Sequence, residues 1–154
     1  MTHHSLDSRP LVGVGVLIIE NKRLLLVKRR GSHGEGTYGS LGGHVEFGER
    51  PEVALCREAK EELGIELGNI HFLACNSLVM YGRHYLDLGF QAEITAGTPE
   101  IQPEEVHKME SVDWYDLDDL PQPLFPPLEL YLEALRTGQT YFHRELPWLD
   151  ETTN

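Results

Sequence analysis

The chain has 154 residues, 40% of them hydrophobic and 25% charged. That is the size of one domain and the balance of an ordinary globular protein, so disordered and fibrous classes are excluded. The formal net charge is −12, from 13 Lys and Arg against 25 Asp and Glu, which argues against a nucleic-acid partner bound through a basic surface.

Residues 1–9 read as a flexible N-terminal segment, and residues 10–150 as a single domain. The longest apolar run, Leu11 to Ile19, is interrupted by glycines and too short to span a bilayer. Nothing at the N-terminus has the charged, apolar and cleavable order of a signal peptide. No membrane association and a cytoplasmic location are therefore expected. Cys56 and Cys75 are too few for a disulfide framework and form no Cys-x-x-Cys pair, so reduced thiols and no zinc site are expected.

"LVGVGVLIIE" (Leu11 to Glu20) and "RLLLVKRR" (Arg23 to Arg30) read as β-strands joined by a turn at Asn21 and Lys22. The Gly-rich stretch "GSHGEGTYG" follows. Within it Gly34, Gly36 and Gly39 formally match a dinucleotide fingerprint, but such a fingerprint opens a helix, and here a short strand follows instead. These glycines are read as loop formers. A helix is predicted from Pro51 to just before Gly64, with proline at its start and glycine past its end. Further strands are predicted in "HFLACNSLVM", "HYLDLGFQAEI" and "SVDWYDL", and a second helix from Leu128 to Arg136. Strands before, between and after two helices predict an α/β sandwich with a mixed sheet.

The stretch Gly42 to Leu67 holds seven glutamates. At about 100° per residue, with Glu58 at zero, Glu61 falls near about 300° and Glu62 near about 40°. The three share a face, and Val53, Cys56, Ala59 and Leu63 are expected on the opposite, core-facing side. Like charges at this spacing destabilise a helix by roughly 0.2–0.5 kcal/mol per pair. A bound cation reverses that sign, and hard oxygen ligands suit Mg²⁺ or Mn²⁺. A solvated acidic surface is the competing reading.

The wider spacing decides between them. Gly43, five residues, Glu49, seven residues, Arg57-Glu58-Ala59, one residue, Glu61-Glu62, one residue and Gly64-Ile65 match every fixed position of the Nudix box over 23 residues. The chain thus resembles the Nudix, or MutT-like, hydrolases. That resemblance implies an α/β/α sandwich and a divalent metal, Mg²⁺ or Mn²⁺, held by Glu58, Glu61, Glu62 and the carbonyl of Gly42. By the same likeness Arg57 orients a neighbouring glutamate, Glu49 pairs within the box, and Glu61 or Glu58 is the general base. Glu104 and Glu105 in "QPEEVHKME" are candidates for a further acidic ligand.

Beyond the box, "VGVGV", "KRRGSHGEG", "GGHVEFGE", "NIHFLACNS" and "LPQPLFPPL" resemble the family's nucleoside triphosphate pyrophosphatases, including those acting on thioguanine nucleotides. This implies Lys28, Arg29 and His44 near the phosphates, Phe125 and Leu128 around the base, and a homodimer. The chain departs from that pattern at Leu41, Asp87, Pro126 and Pro127, residues that bear on base preference. Asp87, which the resemblance puts at the base position, offers only acceptors when ionised and would suit amino-bearing bases such as those of dGTP or dCTP; an exposed strand aspartate is the competing reading. The resemblance leaves open ADP-ribose, sugar-nucleotide, dinucleoside polyphosphate or pterin triphosphate substrates, and a ligand-sensing module without turnover. Degenerate modules lose box glutamates, and this chain retains all of them.

Overall fold

A computed structural model describes residues 9–31 and 33–149; all of the expected N-terminal segment but Arg9 lies outside them. The elements are β1 (Leu11–Glu20), β2 (Arg23–Arg29), β3 (Tyr38–Gly39), β4 (Gly42–His44), α1 (Pro51–Leu63), β5 (Glu66–Met80), β6 (Arg83–Ala96), β7 (Met109–Asp116), α2 (Pro126–Thr137) and β8 (Tyr141–Leu146), with a 3-10 turn at Pro103–Glu105. They form one mixed sheet ordered β3-β2-β1-β6-β5-β8, with β4 also on β1 and β7 on β2. The predicted α/β fold class is the one observed.

Strand β1 organises the sheet. It runs parallel to β6 from Leu11 to Ile18, while its other edge is shared between β4 at Gly13 to Gly15 and β2 at Ile19 and Glu20. Asn21 and Lys22 both take positive φ, 50° and 63°, the backbone of a two-residue hairpin whose twist matches its strands. Period-two alternation splits the apolar residues between two helices. Val14, Val16 and Ile18 pack with Leu55, Ala59 and Leu63 of α1. On the opposite face Leu17, Leu24 and Leu26 pack with Leu128 and Tyr131 of α2.

Helix α1 starts with Pro51 at its first position and ends at Gly64, whose φ of 66° closes a left-handed cap. Its buried face differs from the expected one. Ala54, Leu55, Ala59, Glu62 and Leu63 are buried, whereas Val53 is 52% exposed and Cys56 half-buried. The apolar face is thus rotated toward Leu55 and takes in Glu62, because β4 offers that carboxylate a backbone N–H. Helix α2 starts two residues earlier than predicted, since Pro126 and Pro127 suit a first turn with no N–H to satisfy. Strand β8, which runs parallel to β5, was not expected from the sequence.

A slot in the sheet seats α2. Gly15 on β1 and Gly89 on β6 are in register, and a Cβ on either would lie 2.4 Å from the Tyr131 ring or hydroxyl. Gly15→Ala is therefore expected to destabilise the fold by about 1–3 kcal/mol through overpacking, measured by denaturant unfolding.

Candidate active site

Arg57 is the hub of the acidic end. Its Nε donates to Glu49 Oε2 at 2.8 Å and one terminal nitrogen to Glu49 Oε1 at 3.0 Å. That nitrogen also reaches the His44 carbonyl at 3.0 Å, and the other donates to Glu58 Oε1 at 2.8 Å. The Arg57 pair holds the Glu49 carboxyl down at about 2. Glu61 stands 3.5 Å from Arg57 and is 53% exposed. Glu62 points inward and accepts the Gly42 N–H at 3.1 Å. Burial first, then the Glu58 charge, pushes its carboxyl up to about 8. Burial also raises Glu58, against the pull of Arg57. Arg57→Lys keeps one charge but loses the bidentate fork. It is expected to cut turnover about 10–100-fold, the usual effect of removing a group that orients metal ligands, with little change in circular dichroism.

A cleft of about 420 Å³ runs from Glu58 and Glu62, past Arg29 and His44, to Asp87, Phe125, Leu128 and Tyr131. The Arg29 guanidinium lies 3.8 Å over the Phe125 ring, and its Nε donates to the His33 carbonyl at 3.0 Å. Burial and the charges of Arg83 and Lys108 lower the His44 pKa, so its imidazole is neutral at pH 7. Asp87 is buried in the cleft lining. Burial pushes its carboxyl up to about 6, although Tyr131 and Asn76 both donate to it.

Gly42, His44, Glu58 and Glu62 therefore gather in one cleft with Arg29, Asp87, Phe125 and Leu128, while Glu49, Arg57 and Glu61 are not part of its lining. Lys28 does not line it: its ammonium is 2.9 Å from Glu110, because successive strand residues point to opposite faces. Glu104 is exposed. Glu105 is half-buried, with its Oε2 3.2 Å from the Lys108 ammonium but in no well-aligned hydrogen bond. Lys108, Tyr81, Tyr85 and Tyr131 also line the cleft and were missed in the sequence. Tyr85 carried a signal in the family-like "HY" pair and Tyr131 as an aromatic on the second predicted helix.

Among the described residues no three His, Cys, Asp or Glu side chains converge into a preformed ligand set, since Arg57 holds Glu58 while Gly42 holds Glu62. The donors nonetheless fit a hard cation. Glu58 and Glu62 are crowded carboxylates pushed toward neutrality, and Glu105 Oε2 is buried without a hydrogen bond. A Cβ on Gly43 would lie 2.3 Å from the Glu58 carboxyl carbon, so that carboxylate rests directly against the Gly43 backbone. All these donors are oxygens, the set that suits Mg²⁺ or Mn²⁺.

Comparisons with known proteins agree with this geometry. The NAD-capped RNA hydrolase NudC of Pseudomonas aeruginosa is 40% identical over 86 residues, 56% of this chain and 29% of that protein. The NudC of Stutzerimonas stutzeri is 36% identical over 106 residues, 69% of this chain and 36% of its own length. The chain thus spans about a third of the curated relatives it matches. A crystal structure of a MutT NUDIX hydrolase from Burkholderia pseudomallei superposes with a TM-score of 0.78 at 35% identity, over 82% of this chain and 98% of that one. The NUDIX domain family matches residues 9–135, and with the complete box running from β4 through α1 and the mixed sheet behind it the chain belongs to the Nudix hydrolase family.

Proposed function

We propose that this protein is a Mg²⁺- or Mn²⁺-dependent pyrophosphatase, hydrolysing a nucleoside triphosphate to the monophosphate and pyrophosphate. The observation that supports this best is one cleft that joins an oxygen-rich acidic end, Glu58 and Glu62, to a buried carboxylate, Asp87. Glu58, Glu61, Glu62 and the Gly42 carbonyl would hold the metal, which when bound activates a water and neutralises charge on phosphate oxygens. Arg57 keeps Glu58 aligned, and Glu58 or Glu61 accepts the proton of the attacking water. Arg29 and neutral His44 contact the phosphates, while Phe125 and Leu128 flank the base. The same reading takes residues 10–150 as one catalytic domain, and a homodimer in the cytoplasm on the strength of the resemblance. No helix among the described residues is long and apolar enough to cross a membrane.

A second reading follows from the 40% identity to NudC: the leaving group is the other half of a dinucleotide such as NAD, free or as an RNA cap. It makes nucleic acid a candidate substrate despite the net charge of −12. A panel of nucleoside triphosphates, NAD, ADP-ribose, UDP-sugars and NAD-capped RNA with Mg²⁺ separates the readings. Pyrophosphate release from a triphosphate supports the first. Nicotinamide mononucleotide or capped-RNA products without triphosphate turnover support the second, and no turnover of any substrate overturns both.

A further inference from the structure

The cleft floor carries a constellation that the hydrolytic chemistry does not use. The Tyr131 hydroxyl and the Asn76 amide, at 3.3 Å, both donate to the same oxygen of Asp87, Oδ2. Tyr131 reaches it only because Gly15 and Gly89 open the sheet beneath its ring. Oδ1 has no hydrogen-bond partner among the described residues and is not sealed from solvent. It lies 3.6 Å from where a Cβ on Gly13 would sit, beside the cleft that Asp87 and Gly13 both line.

We propose that Tyr131 and Asn76 are positioning residues that pin Asp87 by one oxygen and present the other, Oδ1, as a lone acceptor for a nucleobase edge bearing an N–H donor. This rests on the nucleotide reading of the cleft. A carboxylate oxygen that opens on the cleft with no protein donor against it is left to accept from a ligand. Here both donors meet Oδ2, Asn76 Oδ1 is buried without a hydrogen bond, and Asp87 Oδ1 is left open to the cleft. The missing partner has to be a donor, and guanine supplies one in N1–H beside its 2-amino group. In O6-methylguanine N1 is an acceptor, so of that edge only the 2-amino group still donates while the N1 lone pair repels Oδ1.

The test uses GMP and O6-methyl-GMP as probes, titrated calorimetrically with Mg²⁺ against the full chain and its Tyr131→Phe variant, whose ring still fills the glycine slot. Loss of the hydroxyl is expected to weaken GMP about tenfold and O6-methyl-GMP little. The proton balance gives a second readout. Ionised Asp87 accepts from guanine, and its carboxyl sits at about 6 while Tyr131 donates to it. Without that donor the carboxylate is less stable, so GMP binding should fail at a higher pH than in the parent. The other ionisable groups near Asp87 are Tyr131 on α2 and Cys75 on β5, with Tyr85, His44 and Arg29 lining the same cleft. In Asp87→Asn, both fixed donors draw the amide oxygen and turn the NH₂ to the cleft, so preference should reverse toward O6-methyl-GMP.

Equal loss of both probes in Tyr131→Phe, or an unmoved acid midpoint, would reduce Tyr131 to packing and overturn the proposal. A retained GMP preference in Asp87→Asn would overturn it as well. Failure of the parent protein to bind either probe would instead sink the nucleotide reading, and the proposal with it.

Discussion

Glu62→Gln is expected to lose turnover by a factor on the order of 10²–10³ or more, with Glu58→Gln and Glu61→Gln falling in the same range. Each change removes a negative oxygen from the proposed metal end while keeping side-chain volume. Stability should move the other way. The Glu62 carboxyl sits at about 8 in the fold against an ordinary 4.5. Between those values the unfolded chain releases a proton that the folded chain keeps, so stability in chelator falls as pH rises from about 4.5 to about 8. Glu62→Gln removes that slope, and its metal-free melting temperature at pH 8 should equal or exceed the parent's. Mg²⁺ should raise the melting temperature of the parent more than that of the variant. Parental turnover of any of the three variants at saturating Mg²⁺ would refute its place among the ligands or as the base.

Asp87→Ala is expected to lower kcat/KM for dGTP more than for dTTP, by about 1–3 kcal/mol, or roughly 5–150-fold. The carboxylate at the cleft floor offers an acceptor to guanine's N1–H and 2-amino group. Thymine brings a single N3–H between two carbonyls and gains less. The Tyr131 hydroxyl and Asn76 amide lose their acceptor in the variant, so global stability should fall too, and a melting curve separates that from the kinetic effect. An equal loss for both nucleotides would place base selection elsewhere in the cleft.

Local chemistry written along the chain already announced much of this protein. The period-two runs of β1 and β2, the Asn21-Lys22 turn and the Pro51 and Gly64 boundaries of α1 each depend on neighbours a few residues away, and each formed where expected. The box spacing identified the family for the same reason: a helix of fixed pitch carries Arg57, Glu58, Glu61 and Glu62 through positions that sequence alone sets.

Contacts between distant segments decided the rest. Which side of α1 is buried depended on β4, whose Gly42 N–H draws Glu62 inward and leaves Val53 in solvent. A helical wheel holds no information about that partner. Lys28 and Arg29 are chain neighbours with equal charge, yet strand pleating sent one to Glu110 and the other to Phe125. Strand β8 exists through its parallel ladder with β5, more than sixty residues earlier in the chain. The Asp87 floor joins Asn76, Tyr131 and the Gly15–Gly89 slot from four separate elements. Burial and hydrogen-bond geometry are properties of the assembled fold, so the ionisation of Asp87 and the direction of its free oxygen had no counterpart in the linear sequence.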